Sequence, residues 1–535
     1  MADAPEEWVG HFRIDDRVEF LKLNGPITVP GNVTLDLPNR QVFGLPVTTG
    51  TNPGGVMSCS ASYSGEQWTF SGTLDEHRFV GRATAGGASG QVELRRVAAW
   101  DIPVYRALSA QYGLADGRRI SIHVNADDWV GTPVLFYSEH DRFVRIYPDT
   151  SGTMLSESLE LFSLAPDNAG IHAVRSLVAG AAEEQTVERL ESWTEEALSI
   201  DGPDGTLAGT LMMPPGPGPH PAIVMIHGAA GGRRDYYRAY AEHFVHAGMA
   251  ALVYDRRGHG ESTGDPALSF PDKSDDAEAW VDHLQSRPDI RPDRVGVWGF
   301  SNGSWVAPLV AARRRDVAFV AVIGASGTTA IQTEIHRRTF DLREQGVPEA
   351  QIEQVTELWA LVYDLLLSRV PDATAAARFD ALAARVRSSP ELAGITVQLY
   401  AIQAPFLGPV PPYRTYQDLV DELPNHTTDP EEWTLDPVDS YRDIAVPVLY
   451  LVGDHDSNLP ALLSAKRVGK ALYDAGNHAA TVLLFPNTGH GMNVVDLGSE
   501  VGMTSEEAGY RHHHFQFAGG FVDIVQAWAA ARVAS

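Results

Sequence analysis

The chain is 535 residues long, too long for one hydrophobic core, so it is expected to divide into two or three domains. Hydrophobic residues make up 44% and charged residues 21%, the balance of an ordinary globular protein, and no apolar run is long enough to cross a bilayer. Asp and Glu outnumber Lys and Arg by 69 to 41, and the net charge of −28 argues against nucleic acid or an anionic membrane as partner; the single cysteine, Cys59, rules out an intrachain disulfide or a thiolate metal cluster.

The opening "MADAPEEWVG" is acidic and lacks the basic and apolar regions of a signal peptide, so a cytoplasmic protein is expected. The stretches "RVEFLKLNG" (17–25), "QWTFSGTL" (67–74), "GQVELRRVA" (90–98), "RRISIHV" (118–124), "TPVLFYSE" (132–139) and "RFVRIYPD" (142–149) are short and alternating. They are rich in β-branched and aromatic residues and separated by Asp, Gly and Asn turns. This spacing predicts an antiparallel sheet, sandwich or small barrel over residues 1–200, with Trp8 and Trp68 in its core. No catalytic constellation appears in it.

"MMPPGPGPHP" (212–221) punctuates the chain, and the pattern then changes. "AIVMIHG" (222–228) is a continuous apolar run, as expected of a strand buried on both faces of a parallel sheet. A helix is expected over 235–247, a buried strand at "MAALVYD" (249–255), a helix over 274–287, a strand at "RVGVWGF" (294–300) and another at "VAFVAVIGASG" (317–327). Strands alternating with helices of this length mean a doubly wound α/β sheet. Residues 328–440 interrupt the rhythm with helical stretches, and the sheet resumes with "PVLYLVGD" (447–454) and "ATVLLFP" (480–486), closed by a helix over 521–533. The expected domains are therefore 1–200, an α/β domain of 201–327 with 441–535, and an insertion of 328–440 that forms either a lid over the carboxyl edge of the sheet or a surface for a homo-oligomer.

Within "RVGVWGFSNGSW" (294–305), Ser301 lies between Gly299 and Gly303 directly after a β-branched run. Glycines on both sides are what a serine on a sharp strand-to-helix turn requires, because side chains there would collide. A serine nucleophile needs a base, and the base needs an orienting group. Open α/β sheets carry reactive groups on loops at the carboxyl ends of their strands. The strand ending in "GDHD" (453–456) offers Asp454 and Asp456, and the strand ending in "PNTGHG" (486–491) offers His490; His478 precedes its strand and is poorly placed. "YRHHHFQF" (510–517) is not a metal site, since three consecutive histidines cannot share one face.

From about residue 205 to its end the chain resembles the α/β-hydrolase superfamily, most closely the lysophospholipase, serine-aminopeptidase-like and dienelactone-hydrolase-like bacterial members. The resemblance rests on "HGAAGG" (227–232), "YDRRGHGES" (254–262), "GFSNG" (299–303), "GDHD" (453–456) and "GHG" (489–491), each following a buried strand and in the family's order. It implies Ser301 as nucleophile, His490 as general base and, through the Gly-x-x-Asp pattern, Asp456 rather than Asp454 as orienting acid. It also implies an oxyanion hole from the backbone N–H groups of Ala229 and Asn302, with Ala230 as neighbour, and hydrogen-bonded structural roles for His227 and Asp255. Residues 1–200 resemble, more loosely, the lipocalin-like extensions that precede some bacterial esterases of the superfamily.

The expected activity is cleavage of a small-molecule carboxylic ester through an acyl-enzyme, with no cofactor and no metal. Trp359, Tyr400 and Phe406 are candidates for an apolar pocket wall, with internal packing of the insertion as their alternative. The same three catalytic groups serve a peptidase, a thioesterase or an acyltransferase, and a non-hydrolytic binding protein on this scaffold is a third reading that intact Ser301, Asp456 and His490 argue against.

Overall fold

The computed structural model describes residues 6–14, 17–29, 31–38, 42–51, 56–63, 65–98, 102–126, 133–139, 142–165, 170–178, 184–190, 193–229, 232–266, 269–344, 346–389, 413–425, 430–494 and 515–534. The chain falls into two compact units, Met1–Ser192 with His513–Gln516, and Trp193–His512 with Phe517–Ser535.

The first unit begins with a closed barrel of eight antiparallel strands between Glu7 and Arg96. Its first strand, Glu7–Ile14, pairs both with the second, Arg17–Asn24, and with the last, Ala88–Arg96, so the ring has no open edge. Every second residue points inward: Met57, Cys59 and Ala61 on one strand, Trp68 and Phe70 on the next. These side chains fill the interior, where Phe12 meets Trp68 edge-on with ring centroids 5.1 Å apart.

The antiparallel β-rich region expected over 1–200 is present, and besides the first barrel the unit holds a second ring. Between Ala110 and Arg189 each of eight strands pairs with the next, and the last, Gln185–Arg189, returns to the first, Ala110–Leu114. The short helix Ile102–Leu108 supplies Tyr105 and Leu108 to this ring's core. Val9 and Phe20 of the first ring and Tyr147, Leu155, Leu159 and Leu161 of the second form one buried cluster, with Phe20 and Tyr147 stacked at 5.8 Å. The second ring was not legible because several of its strands are only four to six residues long, too short to display a period.

The second unit is an eight-stranded, mostly parallel sheet: β1 (Thr194–Gly202), β2 (Gly205–Met213), β3 (His220–Ile226), β4 (Ala250–Tyr254), β5 (Ile290–Phe300), β6 (Val320–Ile323), β7 (Val448–Gly453) and β8 (Ala480–Phe485). Their spatial order is 1-2-4-3-5-6-7-8. β1 and β2 form an antiparallel hairpin, β2 pairs antiparallel with β4, and β4, β3, β5, β6, β7 and β8 run parallel. Parallel strands require crossovers, and the helices α1 (Arg238–His246), α2 (Phe270–Gln285) and α3 (Gly303–Arg313) supply the first of them. The start of α2 is fixed by a capping box in which Ser269 and Asp272 bond each other's backbone N–H.

The insertion between β6 and β7 contains α4 (Ala330–Glu344), α5 (Glu349–Ser368), α6 (Ala373–Arg387), α7 (Tyr416–Glu422), α8 (Pro430–Thr434) and α9 (Pro437–Arg442). It has its own apolar core, built on Leu342, Val355, Trp359, Val362, Phe379 and Leu419. The unit closes with α10 (Ala461–Asp474) between β7 and β8 and α11 (Phe521–Ala534) at its end. Among the described residues, no helix is long and apolar enough to cross a membrane.

Candidate active site

The loops that follow β3, β5, β6, β7 and β8 all leave the carboxyl edge of the parallel strands, and the sequence-selected residues stand on them. Ser301 follows β5 with a φ of 52°, a left-handed conformation that a non-glycine side chain adopts only when its surroundings enforce it. Here the enforcement comes from crowding. A Cβ on Gly299 would collide with the carbonyl of Gly303, and a Cβ on Gly303 would lie 2.5 Å from the carbonyl oxygen of Ile226. The Ser301 N–H donates to Ile323 O at 3.2 Å, tying the turn to the end of β6. The two glycines let β5 pass directly into α3 and hold Ser301 at the corner.

His490 stands on the turn after β8 and Asp456 on the turn after β7. His490 Nδ1 and Asp456 Oδ2 are 2.8 Å apart, and the Asp456 side chain is fully buried while 11% of the His490 side chain stays exposed. The other carboxylate oxygen, Oδ1, accepts the backbone N–H groups of Asn458 at 2.9 Å and Leu459 at 3.1 Å, which fixes the acid's orientation. Asp454, two residues away, is exposed, and its Oδ1 lies 2.7 Å from His455 Nδ1. Between the two carboxylates, it is Asp456 that meets His490.

Two glycines shape this corner: Gly453, which opens the "GDHD" stretch, and Gly324, which sequence reasoning missed. A Cβ on Gly324, at the end of β6, would press on the His490 backbone oxygen at 2.6 Å and on its ring at 3.2 Å, and one on Gly453 would run into the backbone of Thr488. A glycine directly after a buried strand was the available signal. The Phe300 ring lies 5.1 Å from the imidazole of His490 on its other flank.

Ala229 is exposed on the loop after β3, and Asn302 immediately follows Ser301. Among the described residues, neither backbone N–H meets an acceptor, whereas the neighbouring Gly228 N–H donates to the Tyr237 hydroxyl at 2.6 Å. Gly228 also leaves room for the serine: a Cβ there would lie 3.3 Å from Ser301 Cβ. Arg256 Nη1 holds the loop from behind by donating to Ala229 O at 3.1 Å.

His227 is buried against the rings of Tyr237 and Tyr254, with Nε2 2.5 Å from Tyr254 O. Burial, reinforced by the Arg256 charge, pushes its pKa down to about 3, so it is neutral at physiological pH. Asp255 accepts from the Arg234 N–H at 2.8 Å, the Arg234 guanidinium at 2.6 Å and the Glu261 N–H at 2.9 Å. Burial opposes its ionisation, but these hydrogen bonds outweigh it and hold the carboxyl below its ordinary value. Both residues organise loops.

Of the pocket candidates, Trp359 is 1% exposed and stacked under the Arg338 guanidinium at 4.2 Å, inside the insertion's core. An indole so enclosed packs the insertion and does not line an opening to solvent. Ala230, Tyr400 and Phe406 lie outside the described residues, as does the histidine run 512–514. Among the described residues, no group of three or more His, Cys, Asp or Glu side chains could hold a metal ion. The insertion reaches the site at two points that the sequence did not signal. His336 Nε2 on α4 is 3.3 Å from Asp456 O, and Glu432 on α8 meets the ammonium of Lys273, which in turn meets Asn302.

A sequence signature described as Alpha/beta hydrolase family matches residues 223–497. Among curated proteins, the chain is 39% identical over 102 residues to the quorum-quenching protein AidA of Acinetobacter baumannii, a stretch covering 19% of this chain and 34% of that protein. It is 31% identical over 185 residues to esterase FrsA of Citrobacter koseri, covering 33% of this chain and 41% of that protein. It is 26% identical over 164 residues to human mitochondrial acyl-coenzyme A thioesterase 2, covering 31% of this chain and 32% of that protein. The chain thus spans about a third of the length of the first curated relatives it matches. A solved structure of 2,6-dihydroxy-pseudo-oxynicotine hydrolase aligns at 17% identity and a TM-score of 0.34, covering 64% of this chain and 68% of that one.

Proposed function

Because the chain belongs to the alpha/beta-hydrolase family, we propose that it is a serine hydrolase that cleaves a small-molecule carboxylic ester, with Ser301 as nucleophile, His490 as general base and Asp456 as the acid that orients it. The observation that carries this reading is the 2.8 Å contact of His490 Nδ1 with the buried Asp456 carboxylate, on the same sheet edge as a serine held at φ 52°. A carboxylate on Nδ1 fixes the tautomer that leaves Nε2 free to accept a proton and stabilises the imidazolium once formed. In the proposed sequence Ser301 Oγ attacks the carbonyl carbon as its proton passes to His490. The tetrahedral oxyanion is met by the N–H groups of Ala229 and Asn302, and the imidazolium returns the proton to the leaving alkoxide. Water, activated by the same histidine, then hydrolyses the acyl-enzyme through the same oxyanion site.

On this reading the helical insertion is a lid, and the protein acts in the cytoplasm without metal or organic cofactor. A thioester is the second reading, favoured by the names of two relatives: acyl-coenzyme A thioesterase 2 and a thiohydrolase, aneE, of Aspergillus aculeatus, to which the chain is 30% identical over 169 residues.

The test is hydrolysis of p-nitrophenyl esters from acetate to decanoate, beside acyl-coenzyme A thioesters of matching length, by the native protein and Ser301→Ala. Turnover that falls at least ~10³-fold in the variant supports Ser301 as nucleophile, and the preferred series separates ester from thioester. Turnover that survives Ser301→Ala overturns the assignment, and a native protein that neither turns over nor is labelled by a fluorophosphonate overturns the hydrolase reading.

A further inference from the structure

Asn302 precedes α3 with a helical φ of −51° and ψ of −37°, a backbone from which its side chain does not cap the helix, and it makes no bond to the first free N–H groups. Its Oδ1 is turned instead to Lys273 Nζ, 3.0 Å away. Lys273 stands in the first turns of α2, 13% exposed, with its ammonium 5.2 Å from the centroid of the Phe270 ring. That ring is stacked on Trp305 of α3 at 5.4 Å, so the two helices are locked side by side beneath the ammonium. The remaining partner of Lys273 is Glu432 Oε1 at 3.1 Å, contributed by α8 of the insertion. Burial pulls the lysine pKa down and Glu432 counters it, as expected of a cation that depends on its partner for its charge.

The two candidate oxyanion donors are thus supported differently. Arg256, which holds the loop by donating to Gly228 O at 3.4 Å and Ala229 O at 3.1 Å, also meets His259, 3.1 Å away on the adjacent turn of the sheet domain. Lys273, which holds Asn302, has its second contact on the insertion. Displacing α8 would leave the Arg256 support intact and strip Lys273 of its hydrogen-bonded counter-charge, leaving only the weaker field of Asp272 on its own helix. We propose that Lys273 is a positioning residue for the oxyanion site, holding Asn302 in place, and that Glu432 makes this hold conditional on the insertion being seated. The seated insertion and the aligned Asn302 N–H are then one state, and an ester enters a site whose donor is complete only when α8 is docked. This inference rests on the serine-hydrolase reading above.

The experiment compares the native protein, Lys273→Met, Lys273→Arg, Glu432→Gln and Ser301→Ala. It uses the best p-nitrophenyl ester, the inhibition constant of a trifluoromethyl ketone that mimics the oxyanion, the rate of fluorophosphonate labelling, and thermal melting. The expected result for Lys273→Met is a fall in kcat of about 10- to 100-fold with KM within about threefold, and an equal weakening of the ketone. Lys273→Arg should recover part of the loss and Glu432→Gln should show a smaller one. Should Lys273→Met fail to fold, Glu432→Gln carries the test, because its residue is peripheral and the lysine remains. Native kcat and native ketone affinity in Lys273→Met, or in a folded Glu432→Gln standing in for it, overturn the inference, as does a change confined to KM or to melting temperature. Activity that survives Ser301→Ala removes the underlying reading whatever Lys273 does, whereas loss there with native behaviour in Lys273→Met removes only this inference. Absence of both turnover and labelling in the native protein removes both.

Discussion

The two units of this chain bury their strands by opposite means, and the contrast explains where reactive groups can stand. In the first barrel, consecutive strands turn back through hairpins and the last one returns to the first, so inward and outward residues alternate and the interior is filled by Trp8, Phe12, Trp68 and Phe70. Its loops alternate between the two ends of the ring. In the α/β unit, β4 and β7 are buried along their whole length because helices cover both faces. Parallel strands also send every following loop to the same edge, which is why Ser301 after β5, Asp456 after β7 and His490 after β8 stand on loops of one edge although up to 189 positions separate them in the chain. A closed meander builds a packed interior, while a parallel sheet leaves one edge free for chemistry.

The largest expected effect tests that edge. Asp456→Asn keeps the size of the side chain but removes the charge that sets the His490 tautomer, and it should lower kcat by about 10³- to 10⁴-fold while circular dichroism stays native. A loss below about tenfold in a folded variant would mean that the 2.8 Å contact does not serve the reaction. Next comes the barrel interior. Trp68→Ala should destabilise the first unit by about 3–5 kcal/mol, read as earlier exposure of Cys59 to a thiol reagent in urea, and should leave kcat at 25 °C within about twofold. Cys59 suits the measurement because it is the only cysteine and burial pushes its thiol up to about 11, which keeps it unreactive until the ring opens. A kcat that falls in step with barrel stability would break the contrast between the units.

The same contrast governs how much could be read in advance. The strands of the parallel sheet announced themselves as continuous apolar runs, and the Ser301 corner was marked by Gly299 and Gly303, whose absent side chains are a steric requirement written in the sequence. Edge strand β1 was assigned to the preceding domain. Its "TEEALSIDG" is exposed or half-exposed throughout and carries three carboxylates, so no apolar pattern distinguishes it from a loop. Position after β7 alone leaves Asp454 and Asp456 as alternatives; the resemblance's Gly-x-x-Asp pattern points to Asp456, and the turn geometry brings that one to His490. Contacts between distant segments left no mark at all: Lys273 and Glu432 are 159 positions apart, and nothing local to either indicates the other.

A smaller effect concerns pH. His227 is neutral in the fold, with its pKa near 3, while its unfolded value is near the ordinary 6.5. Between these values the unfolded chain binds a proton that the folded one does not, so stability is full above pH 6.5 and falls as pH drops towards 3. The slope from this group is about 1.4 kcal/mol per pH unit. Unfolding of the α/β unit at pH 7 and 4.5 should therefore show about 2–3 kcal/mol less acid loss in His227→Asn than in the native protein. Equal acid sensitivity in both would mean that the imidazole takes up its proton as readily in the fold as in the unfolded chain.

The smallest effect is expected at Asp454, and it is informative because the sequence offered this residue as the rival of Asp456. Its carboxylate points to His455 and reaches the Thr488 N–H only at 3.4 Å, and the side chain is about a third exposed. A carboxylate so placed interacts with His490 only through solvent-screened charge, since no hydrogen bond links the two. Asp454→Asn should change kcat by less than about threefold at pH 7 and shift melting by no more than a degree or two. A loss of 100-fold or more would mean that the loop after β7 rearranges during the reaction to exchange one aspartate for the other. The 2.8 Å contact of Asp456 would then describe a resting arrangement only.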